Sequence, residues 1–230
     1  MNTGDTAFMM ICAALVFFMT PGLAFFYGGL VRRKNVCNTI MACVAIMGLS
    51  VVMWTLFGYS LSFGGNHAGI IGDFRWFGLN GVGMEAGPYA DSIPHLVFCA
   101  FQMMFAMITP ALITGSLVGR MKFKALFLFV AIWSVIVYYP MTHMVWGDGG
   151  FLAAIGSVDF AGGDVVHISS GIIALLLAII LGRRRGYEHT TYRIHNIPSV
   201  VLGASLLWFG WFGFNAGSAL KADGLAAHAF

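Results

Sequence analysis

Charge is scarce in this chain. Asp, Glu, Lys and Arg together make up 9% of its 230 residues, against about 25% in soluble domains, and so thin a polar coat excludes an ordinary water-soluble globule. Cysteine is also sparse. Cys12, Cys37, Cys43 and Cys99 fall within or beside apolar runs with no C-x-x-C spacing, which argues against a zinc site and a disulfide framework and for buried, inert thiols. His143, His167, Asp159 and Asp164 lack firm metal-ligand spacing as well. The first apolar run has no basic segment ahead of it and no small-residue cleavage site after it, so it reads as a retained span rather than a signal peptide.

What fills the chain is apolar: 59% hydrophobic residues, with 30 Gly and 21 Phe. Glycine at this level suits membrane helices, which associate through small residues that let backbones approach. Six stretches meet or nearly meet the length of about 20 residues that a bilayer requires: roughly 6–31, 37–63, 93–118, 123–145, 165–182 and 197–218. The fifth is short and opens on polar residues, as expected of a span that lines a transport site.

Basic residues fix the orientation. Arg32, Arg33 and Lys34, then Arg120, Lys122 and Lys124, then Arg183, Arg184, Arg185 and Arg193 are ten of the 12 Lys and Arg, and all lie in alternate loops. The positive-inside rule places those loops in the cytoplasm and the amino terminus outside, giving a multi-pass protein of the inner or plasma membrane. Eight of the nine acidic residues fall toward the outer side and only Glu188 toward the inner. That bias either concentrates a cation at the entrance or reflects topology alone.

Most of the candidate chemistry lies in Asp159-Phe-Ala-Gly-Gly-Asp-Val-Val-His167, which runs straight into the apolar stretch to Leu181. An ionisable group within a span is costly and defaults to a functional role. His167 suits proton handling near neutral pH, or else packs with its hydrogen bonds satisfied. Asp159 and Asp164 are each placed to cap the helix that follows. Aromatic residues gather toward the same end: Phe101 and Phe105 with Gln102, then Trp146, then Trp211 to Phe214. They read either as a cage for a cation, at about 0.5–2 kcal/mol per ring, or as aromatic packing. The arginine run at 183–185 is a stop signal or at most a contact for anionic lipid.

Four motifs occur in order along nearly the whole chain: Ala24-Phe-Phe-Tyr-Gly-Gly-Leu-Val-Arg-Arg-Lys-Asn35, His143-Met-Val-Trp-Gly147, Asp159-Phe-Ala-Gly-Gly163 with Val165-Val-His167, and Gly210-Trp-Phe-Gly-Phe-Asn-Ala-Gly-Ser-Ala219. Together they closely resemble the ammonium transporter (Amt/Rh) family, in its Amt branch. The resemblance implies an all-α polytopic fold of eleven helices built from two inverted five-helix repeats and a last helix, assembled as a homotrimer. It implies no cofactor, no enzymatic activity, a lipid-bilayer setting and no nucleic-acid partner. Matched motif by motif, Phe101, Phe105, Trp146 and Ser218 would recruit ammonium at an outer site. Phe105 and Phe214 would stack as a gate, Asp159 would support recruitment and deprotonation, and His167 would be the first of two pore histidines.

Residues 1–230 would then be the first repeat plus a sixth helix, incomplete at the carboxyl end. Helices seven to eleven, the second histidine and the tail that binds PII-type signalling proteins would lie outside it. Two further departures from the family pattern are Asp164, where a small polar residue is expected, and Asp148, which interrupts a glycine run. Ammonium and ammonia transport is the leading expectation. The alternatives are an ammonium-sensing receptor and a non-conducting truncated product, while a hydrolase lacks a nucleophile motif.

Overall fold

The computed structural model describes residues 1–184, 186–187 and 191–230. Arg185 and Glu188, two of the charges weighed for orientation, lie outside the described residues. Among those described, six helical segments are long and apolar enough to cross a bilayer: Thr3–Leu30, Arg33–Phe63, His95–Leu117, Phe123–Ala154, Gly163–Leu181 and Ile197–Gly217. Each matches one of the expected stretches to within a few residues, except that the fourth runs on past Trp146 to Ala154.

The first segment is a single helix, α1 (Thr3–Leu30), started by the Asn2 side chain accepting from the amides of Gly4 and Asp5. The second joins α2 (Val36–Met53) to α3 (Tyr59–Phe63) through a π-helical turn at Trp54–Gly58. A short hairpin of β1 (Ala86–Gly87) and β2 (Ala90–Pro94) precedes α4 (His95–Leu117). In the fourth segment α5 (Phe123–Trp133) and α6 (Tyr139–Trp146) are again joined by a π turn, Ser134–Tyr138, and α7 (Phe151–Ala154) follows. The fifth opens with a π turn, Gly163–Ile168, and continues as α8 (Ser169–Leu181). The last two helices are α9 (Ile197–Gly217) and α10 (Gly224–Ala229).

Contacts between links separate the two ends of the bundle. At one end the Asn2 amide donates to the Ser92 carbonyl, Phe151 to Gly69, and Ala222 to the Asp5 carboxylate. At the other, His195 and Asn196 donate to Gly29, while Arg120 donates to Gly182. The chain therefore alternates ends with each span, and the links that carry Arg32 to Lys34, Arg120 to Lys124, and Arg183, Arg184 and Arg193 share one end.

Buried side chains concentrate on α4, which carries Phe98, Phe101, Phe105, Met107, Ile108 and Ile113 into the centre. α1 and α9 are held together differently. The buried face of α9 is mostly glycine, at 203, 210, 213 and 217, and it lies directly on the α1 backbone. A Cβ at Gly203 would sit 2.3 Å from the Phe26 amide nitrogen and 2.6 Å from the Gly22 carbonyl oxygen. Backbone cannot yield as a flexible side chain does. Gly203→Ala is therefore expected to destabilise the chain by about 1–3 kcal/mol, the range for overpacking. Gly171→Ala, which meets nothing within 4 Å, should melt like the wild type in the same detergent.

Candidate functional site

The site is built at the end opposite the basic links, where α4, α6, the approach to α8 and the end of α9 converge. Its anchor is Asp159. Oδ1 accepts from the amides of Gly162 at 2.5 Å and Gly163 at 2.8 Å, and Oδ2 accepts from Asp164 at 2.8 Å and Val165 at 3.0 Å. One carboxylate thus satisfies four amides that the start of a helix leaves without partners. Gly162, at φ +105, makes the turn that brings those amides around it. Of the two carboxylates weighed as caps, Asp159 takes the role. Asp164 instead accepts a hydrogen bond from the Ser157 hydroxyl at 2.8 Å.

The same turn positions Trp146. Its indole N–H donates to the Asp159 backbone carbonyl at 2.8 Å, which fixes the ring in the cavity wall. Phe105 meets Trp146 edge to face, with centroids 5.8 Å apart at 86°. On its other side Phe105 lies against Phe214 at 4.5 Å. Both phenylalanines are essentially inaccessible to solvent. His167 stands beyond this pair, 6.0 Å from Phe214 and stacked at 16° on Trp211 at 6.1 Å.

Above the phenylalanines is a cavity of about 440 Å³, walled by Phe105, Trp146, Asp159, Ser218, Gln102 and Tyr89 among others. The Ser218 hydroxyl donates to the Phe214 carbonyl at 2.9 Å, so its oxygen retains lone pairs for a donor in the cavity. Tyr89 donates to the Phe63 carbonyl at 2.8 Å and accepts from the Asp148 amide at 3.1 Å. Burial, only partly offset by the hydrogen bond from the Asp148 amide, pushes the Tyr89 phenol above its ordinary pKa, keeping it a neutral group at the cavity rim.

The structure brings Trp146, Phe105, Ser218 and Asp159 to one cavity, with Phe214 against Phe105 and His167 against Phe214. Phe101 stands elsewhere. It is fully buried behind Phe105, with centroids 5.0 Å apart, and its ring fills the space beside Gly217. His167 packs on α9 with one side only and is otherwise exposed in this chain. Asp148, the residue that breaks the glycine run, is exposed and bonds through its backbone.

Sequence reasoning missed the support around the cavity. Tyr89 stacks on Phe98 at 5.3 Å and 7°, and Phe63 meets both rings edge-on. Beside this, His143 is fully buried and joins two segments. Its Nδ1 lies 3.0 Å from the Ser62 carbonyl and its Nε2 lies 3.2 Å from Asn66 Oδ1. The Asn66 amide in turn donates to the Gly149 carbonyl. No periodicity or spacing pairs residue 66 with 149 or 63 with 89. No group of three or more metal-ligating side chains occurs among the described residues.

An aromatic-walled cavity with a nearby carboxylate, closed by a phenylalanine pair and followed by a histidine, suits a small cation. Residues 7–230 match the family model described as Ammonium Transporter Family. The ammonium transporter of Bacillus subtilis is 51% identical over 230 residues, covering all of this chain and 56% of its relative. Among solved structures, Saccharomyces cerevisiae Mep2 superposes with a TM-score of 0.88 at 35% identity, over 99% of this chain and 52% of that one. A structure described as a sensor Amt protein matches with a TM-score of 0.86 at 30% identity, over 97% of this chain and 56% of that one. The chain spans about half the length of the curated relatives it matches. It is a multi-pass, all-α membrane protein with the fold of those neighbours, and it belongs to the ammonium transporter family.

Proposed function

We propose that this chain carries the recruitment site and the first part of the conduction path of an ammonium transporter. The observation that carries this reading is the succession of contacts from the cavity through its aromatic wall to the phenylalanine pair and then the histidine. Ammonium is a small cation with four N–H donors. Trp146 and Phe105 supply ring faces, and the Ser218 oxygen supplies an acceptor.

Dehydration sets what happens next. Stripping water from a small ion costs tens of kcal/mol in the idealised limit. Each aromatic face returns only about 0.5–2 kcal/mol. The bare cation therefore does not cross the closed Phe105–Phe214 pair; its N–H bond breaks at the cavity, the proton is taken by solvent water there and returns to the side it came from, and neutral ammonia passes toward His167. Asp159 has all four of its amide contacts committed to the turn, so its part is to hold Trp146 and contribute a fixed negative charge, not to grip the ion. His167, with one ring nitrogen to donate and one to accept, stabilises ammonia beyond the gate.

The same reading places the amino terminus outside, the protein in the plasma or inner membrane, and the basic links in the cytoplasm, as the positive-inside rule supports. Trimeric assembly and a PII-type partner accompany it, on the strength of the family. The sensor Amt neighbour favours one second reading, in which the same cavity reports ammonium to a signalling partner. Proteoliposomes carrying a transporter of its relatives' length whose first 230 residues are this chain, loaded with a pH indicator and pulsed with ammonium or potassium, test the first reading. Ammonium-specific flux that Trp146→Leu lowers at least tenfold is the expected result; saturable ammonium binding without flux would favour the sensor.

A further inference from the structure

We propose that the basic end of the bundle holds a binding site for a phosphate-bearing anion, in the cavity where the α1–α2 link meets the end of α8. This cavity measures about 750 Å³, and Arg32, Arg120, Arg183 and Arg184 all line it. Those four guanidinium groups come from three separate links, and no carboxylate lines the cavity among the described residues.

The arginines are not equivalent. Arg120 is engaged in the fold: Nη1 donates to the Gly182 carbonyl at 2.8 Å and Nη2 to the Ser116 carbonyl at 2.6 Å. Its charge sits against the negative end of α8. Arg32 and Arg184 instead share one ring, with Cζ atoms 5.5 and 5.0 Å from the Tyr192 centroid. Arg184 also donates to the Tyr192 hydroxyl at 2.5 Å. A ring quadrupole attracts a cation but supplies no net negative charge, so two like charges gather on Tyr192 with no counter-ion among the described residues. The Arg32 side chain makes no hydrogen bond or ion pair among the described residues, and its Nε is buried without a partner.

Planar guanidinium forks approaching one space from different links match the several acceptor oxygens of a phosphate better than the two of a carboxylate. Ala178 and the 67%-exposed Ile179 also line it, an apolar strip fit for the chain behind a phosphate headgroup. Topological bias explains the sign and the end at which these charges fall. It does not explain their convergence. Arg33 and Lys34, on the same link as Arg32, are exposed and do not line the cavity.

Native mass spectrometry of the 230-residue chain in neutral detergent tests this, with added phosphatidylglycerol, phosphatidylcholine or inorganic phosphate. The wild type should retain phosphatidylglycerol at least tenfold more tightly than phosphatidylcholine. Arg32→Gln with Arg184→Gln should remove that preference, while Arg33→Gln with Lys34→Gln, an equal loss of charge, should change it less than twofold. Should the first pair unfold, Arg32→Gln alone, which breaks no hydrogen bond, carries the test. Displacement by millimolar phosphate would show that the phosphate group is what is recognised. Phosphate binding without a lipid preference, if Arg32→Gln removes it, would assign the site to a soluble anion. Equal losses from the two double variants, or retention of neither probe by the wild type, would overturn the proposal.

Discussion

Asp159→Ala is expected to remove ammonium flux and to destabilise the chain at the same time. The carboxylate holds four amides at the start of the fifth span, and its own backbone carbonyl fixes the Trp146 indole. Replacing a capping side chain by alanine costs about 0.5–2 kcal/mol, and with four amides released the upper end applies. The effect on binding goes further, because a relaxed turn no longer presents Trp146 to the cavity. We expect flux at least a hundredfold below wild type, with a lower melting temperature in detergent. Asp159→Asn keeps one oxygen acceptor and should recover part of the stability but little of the flux. Wild-type flux from Asp159→Ala in folded protein would mean that neither the cap nor its charge matters to transport.

His167→Ala should separate two properties that Asp159→Ala loses together. His167 is absent from the cavity wall and lies on the far side of Phe214. Truncating it leaves Trp146, Phe105 and Ser218 in place. Ammonium binding measured by calorimetry is therefore expected within about threefold of wild type, while flux falls at least tenfold. Equal loss of binding in His167→Ala and Trp146→Leu would remove the distinction between recruitment above the phenylalanines and conduction below them.

Much of this was legible before any coordinates. Span count followed from apolar length, and alternation followed from the basic links, because both depend on one-dimensional constraints that a bilayer imposes. Trp146, Phe214 and Ser218 lie within recognisable local motifs. The rest depends on proximity in space. Asp159 and Asp164 look alike as caps in the sequence, and only the turn at Gly162 decides that one gathers amides while the other bonds Ser157. Phe101 sits one turn from Phe105, yet the path of α9 at Gly217 leaves it behind the wall. The Tyr89–Phe98 stack and the His143–Asn66–Gly149 chain join residues far apart in the sequence, which no periodicity reports. The π turns at Trp54–Gly58 and Ser134–Tyr138 left no signal either, since each shifts helical register by a single residue within an unbroken apolar run.

The central claim is that the aromatic cavity recruits ammonium as a cation. Isothermal titration of the 230-residue chain with ammonium, methylammonium and sodium tests it most directly. The account predicts saturable binding of ammonium and methylammonium, lost in Trp146→Leu, with no heat from sodium beyond dilution. Sodium bound as well as ammonium, or ammonium binding that Trp146→Leu leaves intact, would contradict it.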